Sequence, residues 1–408
     1  MLLVGVDWAE SEHAACLMDS AGGVLGRLKV PHTVTGLRRL IVAIAEREPQ
    51  PSAVLVAIER PDGLLVDGLL NAGYTLYALN PKAVERYRDR TSSAGAKTDP
   101  ADAELLARIL LTDRDRHHSL LPSRPEVAAM RVIARDDERA SRDQRRLLNR
   151  LRQDLLTVFP QALEAFADLG ASTALAFLAR WPTAAQAQLV GPDELAAFPR
   201  EQRHGWPQRA AATIRAALAA EALTASTSLA QAKADSIQLA AQQLLLLHRQ
   251  RATWRKQLEA LLEGDRAHPD GEVLLSLPGL DARLAARVLG EIGDRRERFP
   301  TPAAVQCYAV TAPVTKASGR QHVVAARLAC NRFLRQALIN WALCTLRRSA
   351  WARTFYDSQR ANGKTHHQAL RSLANRWLEI LHHLLLTGQH YDETVHQRNR
   401  SKYQSATT

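Results

Sequence analysis

The 408-residue sequence has only four cysteines, at positions 16, 307, 330 and 344, and no two of them form a CxxC pair. That excludes a zinc knuckle and a disulfide-stapled scaffold and suits a reducing, cytoplasmic compartment. Long apolar runs are also missing. The first one, Leu2–Val6, is broken by Asp7 and has no basic residue before it. Neither a secretory leader nor a membrane span is expected from such a pattern. Aromatics are scarce, 5% of residues, but overall apolar content at 46% is enough for a sizeable core. At this length two or three domains are expected.

Positive charge is abundant and unevenly spread. Residues 315–408 carry 15 Lys+Arg against 4 Asp+Glu, nearly all of the formal net charge of +12. A local excess of this size is the electrostatic footprint of a surface that neutralises phosphates. The alternatives are solubility or an acidic partner.

Leu2–Val6, His13–Met18 and Val24–Val30, with Gly22-Gly23 as a turn, read as a three-stranded antiparallel meander. Thr35–Arg47 has the spacing of an amphipathic helix, and Ala53–Ile58 that of a buried strand. A helix over Gly63–Asn71, a strand at Tyr74–Leu79 and a helix opened by Asn80-Pro81 complete an α/β domain with a mixed sheet. Asp7 and Glu59 then stand at or just past the carboxyl ends of neighbouring strands, where open sheets place their ligands.

Ala94-Gly95-Ala96-Lys97-Thr98-Asp99-Pro100-Ala101-Asp102-Ala103 puts two more carboxylates one helical turn apart. Asp99 before Pro100 reads as an N-cap, with Asp102 favouring the positive end of the helix. The sharper reading makes Asp7, Glu59, Asp99 and Asp102 a set of oxygen ligands for Mg²⁺, which binds carboxylates, water and substrate phosphate. Two such ions can serve both oxygens of a phosphoryl transfer. An actin-like or sugar-kinase ATPase also opens on a strand, an Asp and a hairpin, but it needs a glycine-rich phosphate turn. Trp8-Ala9-Glu10 stands there instead.

The segments Val4–Ala9, Ile58–Gly63, Asn80-Pro81 and Ala94–Ala103 together resemble the N-terminal domain of the DEDD transposases. These are insertion-sequence recombinases of the IS one-ten group, related to Piv-type invertases. The resemblance implies a RuvC-like (RNase H) fold for residues 1–120, with Asp7, Glu59, Asp99 and Asp102 as the acidic tetrad.

Residues 121–265 read as a helical, coiled-coil spacer. One long helix runs from Pro125 to about Phe159 and another from about Leu229 to Glu263, with short helices between them. Arg131, Arg135, Arg139, Arg142, Arg146 and Arg150 form a basic stripe on the first. It serves either as a solvated, ion-paired face or as a grip on nucleic acid or a partner chain.

Residues 266–392 read as a mainly helical C-terminal domain. Leu277-Pro278-Gly279 before an apolar helix is similar to the start of a helix-hairpin-helix, although Asp281 replaces its second glycine; a plain turn is the alternative. Thr311–Arg320 reads as a basic loop, and from chemistry alone its Ser318-Gly319 pair is a turn. Trp341, Trp351, Tyr356 and Trp377 are core residues by periodicity, base-stacking platforms by alternative. Residues 393–408 read as a disordered tail.

Leu274–Gly279, Pro313–Arg320 and Arg327–Arg335 resemble the family's second transposase domain. By that resemblance Ser318 is the nucleophile toward DNA phosphate. Lys97, Lys316, Arg320, Arg327, Arg332 and Arg335 are the expected nucleic-acid contacts.

The resemblance thus implies a Mg²⁺-dependent transposase that cuts and rejoins donor and target DNA through a transient phosphoserine. It would be guided by a non-coding bridge RNA, associated with the nucleoid, and act as a dimer or tetramer. Two alternatives stay open: a RuvC-type nuclease or junction resolvase without a covalent intermediate, and a non-catalytic nucleic-acid-binding protein.

Overall fold

A computed structural model describes residues 1–91, 98–223, 225–264, 267–309, 314–318, 321–325 and 331–395. The chain divides into two compact units, Met1–Pro122 and Ser123–Thr408.

In the first unit β1 (Leu2–Asp7), β2 (Glu12–Met18) and β3 (Val24–Pro31) form the expected meander. Helix α1 (Val34–Ala45) follows, then β4 (Val54–Ile58), α2 (Leu64–Asn71), β5 (Thr75–Ala78), α3 (Pro81–Thr91) and α4 (Asp99–Asp113). The sheet order is β3-β2-β1-β4-β5, with β4 parallel to both β1 and β5. Alternation sorts the strand residues onto two faces. Val4, Val6, Val56 and Ile58 pack with Leu40, Ile44, Leu65 and Leu69 of α1 and α2. Leu3, Cys16, Leu55 and Ala57 pack with Ala103, Leu106, Ala107 and Leu110 of α4. Burying a Leu or Val in such a layer stabilises the fold by about 1.5–3 kcal/mol.

His13 of β2 is buried on the α1 side, and its Nε2 lies 2.8 Å from Nδ1 of His32. Ala9 N–H donates to His13 Nδ1 at 3.3 Å, so the proton of the neutral ring belongs on Nε2. Burial first, then the charge of His32, lowers the His13 pKa below its ordinary 6.5. Burial likewise lowers His117 and His248. Each ring therefore binds a proton less readily folded than unfolded. Their stabilising effect is complete above about pH 6.5 and is lost as pH falls from there toward the depressed folded values. The thermal midpoint should drop between about pH 7 and pH 5.5, and less so in His13→Gln. Calorimetry showing a flat midpoint across that window in the parent chain would refute this.

Among the described residues the second unit is helical apart from one antiparallel strand pair. Helices α5 (Pro125–Val158) and α11 (Thr227–Leu262) are its two long members. Between them lie α6 (Gln161–Ala165), α7 (Ser172–Arg180), α8 (Ala184–Gln188), α9 (Pro192–Glu201) and α10 (Pro207–Ala219). These short helices close a core over Leu151, Leu155, Ile237 and Leu244, with Phe177, Trp181 and Phe198 stacked at its centre.

Helices α12 (Asp270–Leu275), α13 (Ala282–Ile292), α14 (Pro302–Ala309), α15 (Arg332–Thr345), α16 (Ala350–Ala361) and α17 (His366–Thr387) build a second core. It takes in Val127 and Met130 of α5 and Leu258 and Leu262 of α11, so the two long helices serve both cores. Trp341 and Trp377 are fully buried, and Trp351 nearly so. The indole N–H of Trp341 donates to Pro278 O at 3.0 Å and that of Trp377 to Thr345 Oγ1 at 3.1 Å, so these rings are core, not stacking platforms. Order continues past the expected start of the tail: Glu393 accepts from Ser349 Oγ at 2.9 Å and from Tyr391 Oη at 2.7 Å. Residues 396–408 lie outside the described set. Among the described residues no helix is long and apolar enough to cross a membrane.

Candidate active site

Asp7 is the last residue of β1, and Glu59 follows the last residue of β4. The two strands run parallel with Val6 opposite Ile58, so both acids leave the same end of the sheet side by side. Leu3 and Leu55 face α4, and two-residue alternation carries that face on to Asp7 and Glu59. What brings α4 to them is Gly5. A Cβ on Gly5 would stand 1.9 Å from Ala103 O and 2.6 Å from Ala107 N, so the helix backbone rests directly on β1. The first turn of α4, with Asp99 and Asp102, therefore begins over the carboxyl end of β1.

The start of α4 is displaced by one residue from the expectation. Thr98 has the extended cap conformation, Asp99 is the first helical residue and Pro100 the second. Asp99 is exposed and does not occupy the cap. Both acids lie in the first turn, where the helix dipole favours negative charge.

Asp102 is buried, and Arg88 of α3 forks onto its Oδ1 through Nε at 3.1 Å and Nη2 at 2.7 Å. Sequence reasoning missed Arg88; its only signal was the basic run Arg86-Tyr87-Arg88 ahead of the acidic motif. In this arrangement no three His, Cys, Asp or Glu side chains among the described residues form a group that could hold a metal ion. Carboxylate oxygens are the donors Mg²⁺ takes, so the set fits in kind. Of the four acids, Asp102 is also engaged by a guanidinium.

The expected basic loop at 311–320 contains a strand. Val314–Ser318 (β6) pairs antiparallel with Gln321–Ala325 (β7), and the ladder ends at the Ser318–Gln321 pair. Ser318 thus closes a strand at the far end of a hairpin. The side chains of Ser318 and Lys316, and the whole of Lys97, Arg320 and Arg327, lie outside the described residues.

The root of this hairpin segment is built from groups that the sequence did not bring together. Asn331 N–H donates to Tyr308 O at 3.2 Å. Its Oδ1 caps α15 by accepting from Phe333 N and Leu334 N, both at 3.0 Å. Its Nδ2 donates to Glu291 Oε2 at 2.6 Å and Tyr308 Oη at 2.8 Å. Glu291 is buried and takes a bidentate pair from Arg135 of α5, at 2.6 and 2.8 Å. These contacts tie Tyr308 and Asn331 to Glu291 and, through it, to Arg135 of α5.

The same contacts decide much of the arginine stripe. Arg135, Arg139 and Arg142 surround the Phe333 ring at 5.0, 5.8 and 5.7 Å. Arg139 and Arg146 also pair with Asp136 and Asp143 on their own helix. For these residues the packed, ion-paired reading holds. Arg332 is exposed and Arg335 half-buried on α15.

Comparison with known proteins finds matches in both units. Residues 4–160 match the model of the IS110 DEDD type, described as Transposase, and residues 271–357 match one described as Transposase IS116/IS110/IS902 family. The chain is 37% identical over 398 residues to a mini-circle putative transposase for IS117 from Streptomyces coelicolor, with 95% of each chain covered. It is 30% identical over 401 residues to an IS110 insertion-element protein of 43.6 kDa from the same organism, covering 97% of this chain and 96% of that one. An IS116 insertion-element protein of 44.8 kDa from Streptomyces clavuligerus is 29% identical, with 93% of each chain covered.

Proposed function

Since the chain belongs to the IS116/IS110/IS902 transposase family and so acts on DNA, we propose that it cuts and rejoins donor and target strands by a two-part site. One part is the acidic end of the first unit, which has the mixed sheet of a RuvC-like domain; the other is Ser318. The observation that carries this reading is the parallel register of β1 and β4. It sets Asp7 beside Glu59 under the first turn of α4.

Asp7, Glu59, Asp99 and Asp102 would hold Mg²⁺, which supplies charge neutralisation at the phosphate and a lowered pKa for an attacking oxygen. Arg88 would orient the buried Asp102 through its two hydrogen bonds to Oδ1. Ser318 Oγ forms the bond to phosphorus as one bridging P–O bond of the strand breaks. The serine proton passes to the departing strand-end oxygen, and rejoining reverses both transfers. Lys97, Lys316, Arg320, Arg327, Arg332 and Arg335 would neutralise the phosphates around this step. By family resemblance a bridge RNA selects the two DNAs, and a homo-oligomer combines the two parts of the site.

The test is a trapping reaction. Protein, Mg²⁺, the RNA encoded beside the gene, and labelled donor and target DNA are incubated and then denatured. A protein–DNA adduct that forms with the parent chain and is lost in Asp99→Ala supports both halves. Cleavage by the parent chain with no adduct at any time would leave a water-using nuclease, and binding without cleavage a non-catalytic protein.

A further inference from the structure

The second unit holds a cleft of about 330 Å³ that the proposed chemistry does not use. Gly279, Leu280, Asp281 and the first turns of α13 form one wall; Asn340, Leu343, Cys344 and Arg348 at the end of α15 form the other. Gly279 makes the approach possible. It has φ +82°, and a Cβ there would lie 3.0 Å from Cys344 Cβ and 3.1 Å from Thr345 N. Three arginines line the space, Arg283, Arg287 and Arg348.

They differ in depth. Arg348 is exposed, and the Arg283 side chain is 41% exposed with its Nη1 3.6 Å from Asp137 Oδ2. Arg287 is only 6% exposed. Its Nη2 stands 3.1 Å from Glu138 Oε2, an ion-pair distance, yet is out of hydrogen-bond alignment and has no hydrogen-bond partner among the described residues. A guanidinium carries five donors in a fixed fork, and buried donors are ordinarily satisfied. Desolvation lowers the Arg287 pKa, the direction expected when its charge is incompletely matched. Asp281 also lines the cleft, but its Oδ1 is engaged, accepting from Leu284 N at 2.8 Å as the cap of α13.

Three arginines around one cleft, Arg287 buried and ion-paired with Glu138 and Arg283 and Arg348 more exposed, with the amino end of an eleven-residue helix beside them, suit an oxyanion with several acceptor atoms. We infer that this cleft holds a backbone phosphate of duplex DNA, and so fixes the DNA on the second unit without reading its sequence. The DNA assignment rests on the transposase reading, but on neither Ser318 nor the acids. Phosphate contacts of this kind position a duplex and carry no base information.

The experiment measures binding of the full chain to a labelled mixed-sequence duplex across a salt series. For every phosphate that is no longer neutralised, the slope of log K against log salt concentration shrinks in magnitude by about 0.9. Arg348→Gln, at an exposed position, and Arg287→Met should each reduce the slope. Arg209→Gln, an exposed charge-matched control on α10, should not. Because Arg287→Met removes a buried ion pair, Arg348→Gln alone suffices to decide. A slope in Arg348→Gln equal to that of the control overturns the inference. So does a reduction seen only with RNA, or inorganic phosphate that fills the cleft without weakening DNA binding at constant ionic strength. A parent chain that binds no DNA at all refutes the underlying transposase reading as well.

Discussion

Ser318→Ala should abolish the covalent protein–DNA adduct and lower strand rejoining by about 10⁴-fold or more, the usual consequence of deleting a catalytic nucleophile, if the proposed role of Ser318 holds. The hydroxyl is the only part of the side chain removed, and Ser318 ends a strand whose pairing with β7 is made by the backbone. The variant should therefore fold, keep its thermal midpoint and bind DNA as before. Anchoring of the hairpin segment through Asn331, Tyr308 and Glu291 is also untouched. Gel analysis of denatured reactions separates the outcomes. Loss of adduct and rejoining with binding intact assigns the nucleophile. Cleavage at the parent rate in Ser318→Ala would mean that water attacks at the acidic site and that the hairpin has another role.

Gly5→Ala should strongly destabilise the first unit. The new carbon would have to occupy space 1.9 Å from Ala103 O, and backbone atoms cannot swing aside as a flexible side chain can. Helix α4 must move off the sheet, opening the layer formed by Leu3, Ala103, Leu106 and Ala107. Overpacking of this sort costs about 1–3 kcal/mol, and here the upper end or beyond is expected. The same displacement carries Asp99 and Asp102 away from Asp7 and Glu59. A misplacement of about 1 Å can cost roughly 10²-fold in rate. Asp7→Asn is the informative partner: it should lose cleavage while retaining the urea midpoint. Parent-like stability and cleavage in Gly5→Ala would show that α4 does not take its position from this contact.

Several features were legible from local pattern. Short apolar runs and the Gly22-Gly23 turn gave the meander, and the continuous apolar run before Glu59 gave the buried strand. The motif Lys97–Ala103 indicated a helix start with two acids on one turn, wrong only in making Asp99 the cap. The strand Val314–Ser318 lies within Thr311–Arg320, which reads as a loop, because a short polar strand such as Val-Thr-Lys-Ala-Ser has too little apolar alternation to declare itself.

What the sequence by itself determined, then, was where the candidate acids and most of the helices and strands lie along the chain, since both follow from side chains near one another in sequence. Tertiary structure alone decided their partners. Strand order β3-β2-β1-β4-β5 sets Asp7 against Glu59, and α3 returns Arg88 to Asp102. The crossing of α5 and α13 joins Arg135 to Glu291, while the approach of α15 to the Pro278-Gly279 turn makes the arginine cleft. Those pairings depend on how amphipathic faces stack, and a hydrophobic period states that a face is buried without stating against what.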